Sequence, residues 1–223
     1  MKTFKEIGWN CGDKVSHHRY DRFYPLFLEP LRNTEFNMLE IGIDEGKSFK
    51  LWSEYFPKSK IWGVDIEPKI SEHDRYITIQ ADQSSLNGII KISNLSPKDC
   101  AFIIDDGSHV TDHQLLTFHY LFQHNLKPGG VYIVEDIEGS WWKPDIEMYG
   151  YKTGHKNICE YFKSLSDSIQ QEFNGELNLL GIETITFAYN SIIITKSKEE
   201  DLALYSREYR WGEDTLINKN NYV

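Results

Sequence analysis

Residues 101–109 read AFIIDDGSH, and this stretch decides the fold. Its apolar part has the length of a strand and does not alternate with polar residues, which is typical of a parallel sheet covered by helices on both faces. In open α/β sheets, ligands bind beyond the carboxyl ends of the strands. Two carboxylates, a turn glycine and an imidazole follow this strand, so the stretch predicts an enzymatic site at that edge of the sheet.

Composition excludes several classes of protein. The 223 residues carry a net charge of -10, and an acidic chain of this kind does not offer the basic face that nucleic-acid binding requires. No apolar run is long enough to cross a bilayer, and no apolar signal segment follows Met1. We therefore expect no nucleic-acid partner, no membrane association and a cytoplasmic location. Three widely spaced cysteines argue against a disulfide framework or a structural zinc site.

The sequence divides into three parts. Residues 1–34 are predicted to form an N-terminal extension or flap, residues 35–197 a catalytic domain, and residues 198–223 a charged C-terminal tail. The extension has two interpretations: it packs on the sheet, or it is a flap that brings Asp13, Lys14, His17 and Tyr20 towards a ligand.

A glycine turn joins the first predicted strand to a helix. Residues 37–48 read NMLEIGIDEGKS, where Gly42 permits a sharp turn beside a ligand and Gly46 permits close approach at the start of the helix. The letters GKS suggest an ATP-binding loop, but Ile41 occupies the position of the glycine that such a loop requires. The spacing also lacks the three glycines of a dinucleotide fingerprint.

Polar residues end the next two predicted strands as well. Asp65 follows the glycine turn by about twenty residues, where an acid accepts hydrogen bonds from ribose hydroxyls. Asp82 or Gln83 ends the third strand, within reach of an adenine amino group. Helix capping is the alternative explanation for Asp82. The succession of strand-end signals favours a nucleoside site.

The remaining segments complete an α/β pattern. A helix is predicted from Val110 to about Asn125, and the turn Lys127–Gly130 then leads to a strand that ends in Glu135-Asp136. An aromatic loop with Trp141 and Trp142 follows. Further predictions are a helix over residues 157–173 and a hairpin formed by 183–189 and 191–195. The predicted fold is a doubly wound, mostly parallel, Rossmann-like sheet of seven strands with an antiparallel C-terminal hairpin.

This succession resembles class I S-adenosylmethionine-dependent methyltransferases, whose first three cofactor motifs match the positions of Gly42, Asp65 and Asp82. Residues 105–109, 127–130 and 134–136 are similar to the macrocin/mycinamicin group of metal-dependent sugar O-methyltransferases. Asp13-Lys14 and His18-x-Tyr20 resemble the opening segment of that group. A departure is Cys11-Gly12, where the group has Gly-Thr.

The resemblance implies S-adenosylmethionine as cofactor and S-adenosylhomocysteine as product. It also implies a small-molecule substrate, most simply one that contains a sugar, and assembly into a homo-oligomer in which an N-terminal segment completes a neighbour's site. The cofactor-binding residues expected on this basis are Glu40, Gly42, Gly46, Ser48, Asp65, Asp82, Gln83 and Asp105.

Methyl transfer to a sugar hydroxyl requires an in-line nucleophile and the removal of its proton. Mg²⁺ prefers carboxylate oxygens and lowers the pKa of a coordinated hydroxyl. Asp106 and Asp136 are the predicted metal ligands, Glu135 is a candidate third, and His109 is the predicted base. Asp105 faces the opposite side of its strand, so Asp106 is preferred.

Less specific signals surround this group. Ser108 is predicted to cap the following helix, and His113 lies one helical turn beyond His109. Lys14, Tyr20, Trp141 and Trp142 are candidates for contact with the acceptor.

Two other functions are consistent with the residues. Asp106, His109 and His113 form a two-histidine, one-carboxylate set that suits an iron-dependent hydroxylase or oxygenase. A nucleoside-binding module without catalysis would also explain the strand-end motifs. The oxygenase interpretation leaves those motifs without a purpose, so O-methyl transfer is preferred.

Overall fold

A seven-stranded sheet forms the centre of the fold. The computed structural model describes residues 1–69, 75–143, 145–148, 151–152, 156–170 and 178–198. The strands are β1 (Asn37–Ile41), β2 (Lys60–Asp65), β3 (Tyr76–Gln80), β4 (Cys100–Asp105), β5 (Leu126–Glu135), β6 (Glu147–Met148), β7 (Tyr151–Lys152), β8 (Ile182–Ala188) and β9 (Ser191–Lys196). The α-helices are α1 (Phe4–Gly8), α2 (Asp13–Ser16), α3 (Tyr24–Leu28), α4 (Lys47–Tyr55), α5 (Leu86–Leu95), α6 (Thr111–His124), α7 (Ile158–Ser164) and α8 (Ser166–Ile169). Short 3₁₀ helices cover Tyr20–Arg22, Glu29–Leu31 and Ile137–Trp141.

The strand order is β3-β2-β1-β4-β5-β9-β8, and β6 pairs with β7 in a separate small hairpin. The pairs from β3 to β5 are parallel, whereas β9 is antiparallel to both β5 and β8. The predicted doubly wound sheet with an antiparallel C-terminal hairpin is therefore confirmed. Because the order reverses between β1 and β4, a crevice opens at the carboxyl ends of these two strands.

Apolar residues cover both faces of the sheet. Neighbouring strand residues point to opposite sides, so Leu39 and Ile103 pack in one cluster while Met38 and Ile104 pack in the other. Helices α5, α6 and α7 contribute to the first cluster, and α4 contributes to the second. The sheet is thus buried between two layers, as its unbroken apolar strands predict.

The N-terminal extension belongs to the second apolar cluster. Its buried apolar residues are at most 4% exposed and include Phe4, Ile7, Val15, Tyr20, Tyr24 and Leu28. Burying this much aromatic and aliphatic surface stabilises the contact with the sheet. The segment packs on the sheet, as the first interpretation has it. It also brings Asp13 and Lys14, two of the four residues named in the second interpretation, to the lining of the cavity described below.

The sequence predicts a turn at residues 127–130, but in the structure these residues are part of β5. The register pairs Cys100 with Leu126 and Phe102 with Val131, so the additional residues of β5 bulge out between these two pairs. Gly129 has a φ of 71°, which permits the bulge.

The predicted helix over residues 157–173 is interrupted. Asn157 caps α7 by accepting a hydrogen bond from the Glu160 amide at 3.1 Å, and Leu165 separates α7 from α8. Residues 171–177 and the greater part of the predicted tail, 199–223, lie outside the described residues.

Gly42 fixes the distance between the first loop and the end of β4. Its φ is 83°, and a Cβ atom at this position would lie 2.1 Å from the Asp106 carbonyl oxygen. Only glycine has both the conformational freedom and the space for this contact. The loop after β1 and the residues after β4 are therefore held together by their backbones.

We expect Gly42→Ala to lower the free energy of unfolding by about 1–3 kcal/mol more than Gly181→Ala does, because overpacking adds to the strain of the backbone. Gly181 is a matched control: its φ is 67°, and a Cβ atom there would meet nothing within 4 Å. Urea unfolding of both variants measures the difference. Equal losses would show that the close contact at Gly42 has no energetic role.

Candidate active site

A cavity of about 930 Å³ lies over the carboxyl ends of the parallel strands. Its lining comes from residues 10–14 of the N-terminal segment, 41–45 at the end of β1, 64–66 at the end of β2, 81–84 after β3 and 106–109 after β4, together with Lys47, Ser48, His113 and Asp136. The cavity is at the reversal of strand order, where a doubly wound sheet places its ligand site.

Asp65 and Asp82 both line the cavity. Asp65 Oδ2 accepts hydrogen bonds from the amides of Ile43 at 3.1 Å and Asp44 at 2.9 Å, so this carboxylate also orders the loop after β1. Asp82 accepts one from the Ser84 amide at 2.8 Å. The N-cap of α5 is Ser85, which leaves Asp82 with no capping role in that helix.

Gln83 and Asp105 form a buried hydrogen-bonded pair. The Gln83 amide nitrogen lies 3.0 and 3.2 Å from the two Asp105 carboxylate oxygens, and its oxygen accepts a hydrogen bond from the Ser108 amide at 2.7 Å. Asp105 is fully buried. These hydrogen bonds hold the loop after β4, and Gln83 also lines the cavity. Cofactor binding by Gln83 and Asp105 stays a prediction.

The predicted cofactor residues at the end of β1 have different surroundings. Ser48 lines the cavity and donates a hydrogen bond of 2.8 Å to Glu40, whose carboxylate is fully buried. Burial raises the pKa of Glu40 to about 7, against the opposing effect of Lys14. Gly46 adopts a left-handed conformation at the N-cap of α4, with a φ of 73°. Of these residues, Ser48 is the one whose side chain can meet a ligand.

Asp106, His109 and Asp136 meet at the other end of the cavity. Each offers a ligand atom, and these atoms all lie within 4.8 Å of one another. His109 Nε2 is 3.6 Å from Asp136 Oδ2. Both residues have a positive φ, 56° for His109 and 52° for Asp136. Such backbone conformations cost energy in residues other than glycine and occur most often at functional sites.

The neighbours of Asp136 hold it in place. The Tyr20 hydroxyl donates to Asp136 Oδ1 at 3.0 Å, and the Asn190 side chain donates to the same oxygen at 2.8 Å. His18 Nδ1 lies 3.7 Å from it. Burial raises the pKa of Asp136, and His109 counters part of that rise. Sequence reasoning missed Asn190, whose signal was an asparagine between the two hairpin strands.

Glu135 does not join this cluster. Its carboxylate is buried between the Lys14 ammonium and the Tyr24 hydroxyl, each of which donates to a different oxygen. Burial raises the pKa of Glu135, although Lys14 opposes the rise. Lys14 is only 2% exposed and also donates to Asp106 Oδ2 at 2.6 Å. The structure thus places Lys14 and Tyr20 on the acids of the site.

His113 and Ser108 bind each other. The Ser108 hydroxyl lies 2.8 Å from His113 Nδ1. The prediction that Ser108 caps α6 is wrong, because the N-cap of that helix is Val110. The group of described residues that could hold a metal ion has one histidine and two carboxylates, without His113. This is not the two-histidine set that an oxygenase would need.

Three exposed aromatic residues lie close to Asp136 or Asn190 along the chain. Trp141 is 66% exposed and Trp142 is 40% exposed, and both follow Asp136 closely along the chain. Tyr189 is 64% exposed and precedes Asn190. Neither tryptophan lines the cavity itself.

The donor set fits a hard divalent cation. Asp106 and Asp136 supply carboxylate oxygens, the ligands that Mg²⁺ prefers, and the cluster opens into a cavity large enough for a nucleoside and part of an acceptor. The arrangement can therefore combine a cation, a base and a bound nucleoside at one edge of the sheet.

Comparison with known proteins agrees with this arrangement. Demethylmacrocin O-methyltransferase of Streptomyces fradiae is 32% identical over 176 residues, which cover 70% of this chain and 41% of that protein. The chain is related to the macrocin and mycinamicin sugar O-methyltransferases. An 8-demethyl-8-alpha-L-rhamnosyl tetracenomycin-C 2'-O-methyltransferase of Streptomyces olivaceus is 35% identical over 140 residues, or 59% of this chain and 36% of that one.

Solved structures of this methyltransferase group share the fold. MycE methyltransferase from the mycinamycin biosynthetic pathway, in complex with Mg, SAH and mycinamycin VI, superposes with a TM-score of 0.75 at 25% identity. The match covers 88% of this chain and 54% of that one. The resemblance predicted from the sequence is confirmed.

The extent of these matches is limited in one respect. This chain spans about two fifths of the length of the curated methyltransferases named above. No family model matches the sequence.

Within the described residues, no helix combines the length and the apolar character that a membrane span requires.

The buried charge of Asp105 makes stability depend on pH. Burial raises its pKa from 3.8 to about 6, with Gln83 opposing the rise. The folded state therefore binds more protons than the unfolded state between these values, and the free energy of unfolding falls as the pH increases through them. Asp105→Asn cannot ionise at this position. We therefore expect its free energy of unfolding, minus that of the unmodified chain, to be about 2 kcal/mol larger at pH 7.5 than at pH 4.5.

Urea unfolding of both proteins at the two pH values measures this gain. A difference between the proteins that is the same at pH 4.5 and 7.5 would contradict a raised pKa for Asp105.

Proposed function

We propose that this chain transfers a methyl group from S-adenosylmethionine to a hydroxyl of a sugar-containing small molecule, with the assistance of Mg²⁺. The observation that carries the proposal is the position of the Asp106, His109 and Asp136 cluster in the same cavity as Asp65 and the Gly42 loop. The relatives named above act as O-methyltransferases, and MycE has been solved with Mg and SAH.

The cofactor occupies the side of the cavity near β1 to β3. Asp65 accepts hydrogen bonds from the ribose hydroxyls, because its carboxylate lines the cavity at the end of β2. Asp82 faces the adenine amino group, since Gln83 is engaged with Asp105. Gly42 lets the backbone approach the nucleoside, and Ser48 lies at the start of α4 in the same wall.

Asp106 and Asp136 hold the cation. Asp106 has one oxygen on Lys14, and Asp136 has one on Tyr20 and Asn190, so each carboxylate keeps a second oxygen for coordination. When bound, S-adenosylmethionine supplies the methyl group and Mg²⁺ lowers the pKa of the acceptor hydroxyl.

His109 removes the proton of the acceptor hydroxyl. Its ring lies beside the carboxylates, with Nε2 3.6 Å from Asp136 Oδ2, and this neighbour stabilises the imidazolium that forms. His109 has a positive φ, so its backbone does not have the conformation of the helix α6 that follows it. The chain thus provides a base at the same end of the cavity as the metal ligands.

The acceptor approaches from the end of the site near Asp136. Trp141 and Trp142 follow Asp136 closely along the chain and are exposed, and flat aromatic rings with an apolar face and a polar edge suit the packing of a sugar ring. Lys14 and Tyr20 are engaged with carboxylates and do not contact the acceptor in this proposal. Assembly into a homo-oligomer stays a prediction from the resemblance, and sedimentation of the purified chain measures it.

The test is methyl transfer from labelled S-adenosylmethionine to small-molecule rhamnosides, with the product identified by mass spectrometry. We expect EDTA to suppress transfer and excess Mg²⁺ to restore it, because a sugar hydroxyl is a poor nucleophile without the cation. Binding of S-adenosylhomocysteine by calorimetry is the parallel measurement. Transfer that is indifferent to EDTA removes the metal from the proposal, and absence of nucleoside binding removes the cofactor.

We expect His109→Asn to lower turnover by roughly 10²–10⁴-fold, the usual contribution of a general base, with little change in S-adenosylhomocysteine affinity. Asparagine tolerates the left-handed backbone that His109 adopts, so the fold is retained. His113→Asn, in the same cavity wall, is the control and should keep most of the activity.

Titration with Mn²⁺ tests whether the His109 imidazole is a base or a metal ligand. If His109 is the base, the His109→Asn protein binds Mn²⁺ as well as the unmodified chain does. A large loss of Mn²⁺ affinity would make His109 a ligand instead.

A further inference from the structure

The N-terminal segment places a buried cation among the acids of the site. Lys14 Nζ donates to Asp106 Oδ2 at 2.6 Å and to Glu135 Oε2, and it lies 3.7 Å from Glu40 Oε1. The Lys14 side chain is 3% exposed, whereas those of Glu40 and Glu135 are 0% and 2% exposed. Lysine is almost never buried to this extent unless it is paired.

These contacts leave one carboxylate of the three available to the cavity. Tyr24 donates to the Glu135 oxygen that Lys14 does not use, and Ser48 donates to Glu40 Oε2 at 2.8 Å. Asp106, with 23% of its side chain exposed, is the one that also lines the cavity. The Lys14 ammonium therefore lies between two enclosed carboxylates, those of Glu40 and Glu135, and the open cluster of Asp106, His109 and Asp136.

We propose that Lys14 is the permanent second cation of this site: its ammonium neutralises Glu135 and Glu40 and fixes Asp106, so that the chain binds one divalent ion rather than two. Carboxylates bridged between two positive centres are typical of two-metal sites, and here one centre is an ammonium. Lys14 is thus a positioning residue for the metal ligand Asp106. The inference rests on the metal site of the proposed function.

Mn²⁺ titration followed by electron paramagnetic resonance tests the proposal. We expect one ion per chain for the unmodified protein and for Lys14→Arg, which keeps the charge. Lys14→Met removes the ammonium and exposes three carboxylates to a common point, so it should bind two ions. Lys47→Met is the matched control, because Lys47 lines the same cavity but pairs with Glu45 at 2.9 Å, and it should bind one.

Melting temperatures in the absence of metal provide the second measurement. We expect Lys14→Met to melt roughly 10 °C below the unmodified chain, because removal of one partner leaves buried charges uncompensated. The double variant Lys14→Met/Glu135→Gln removes one charge of each sign and should recover at least half of that loss. It also stays informative if Lys14→Met alone does not fold.

The outcomes separate this inference from the proposed function. Two ions on the unmodified chain, one ion or none on folded Lys14→Met, or a double variant no more stable than Lys14→Met would each overturn the role of Lys14. No Mn²⁺ binding by the unmodified chain would instead overturn the metal site of the proposed function. The melting temperatures would then decide whether Lys14 neutralises Glu135.

Discussion

The close approach of Gly42 to the Asp106 carbonyl is the constraint on which the site depends. It occurs where the strand order reverses, between β1 and β4, and a Cβ atom on Gly42 would lie 2.1 Å from that oxygen. The loop that we assign to the cofactor and the strand end that carries Asp106 therefore cannot move apart independently. A nucleoside and a cation bound on either side of this contact share one wall of the cavity.

Electrostatics sets the second requirement. Glu40, Asp106, Glu135 and Asp136 lie at or near the ends of neighbouring strands. Glu40 and Glu135 are buried, and buried carboxylates are stable only when they are paired or hydrogen-bonded. The N-terminal segment meets this need with Lys14 and the hydroxyls of Tyr20 and Tyr24. The same segment buries its aromatic side chains against the sheet, so packing and charge compensation hold it in place together.

Two of the residues assigned to chemistry have a strained backbone. His109 and Asp136 both lie in the left-handed region, as does Asn190, which binds Asp136 from the hairpin. Each such residue costs energy that surrounding contacts must offset. The hydrogen bonds from Asn190 and Tyr20 to Asp136 are contacts of this kind, and they join β5, the hairpin of β8 and β9, and the N-terminal segment at one point.

The sequence alone determined the strands, their mostly parallel arrangement and the edge at which the acids gather, because apolar runs and turn residues are local signals that survive in most tertiary contexts. It also singled out Asp106, His109 and Asp136. Only the tertiary structure decided which acids remain open. The alternation of side chains along a strand already favours Asp106 over Asp105, but Glu135 looks equivalent to Asp136 in the sequence. In the structure Lys14 and Tyr24 enclose Glu135, and Gln83 binds Asp105. These partners lie at least 22 residues away along the chain, so no local pattern could reveal them.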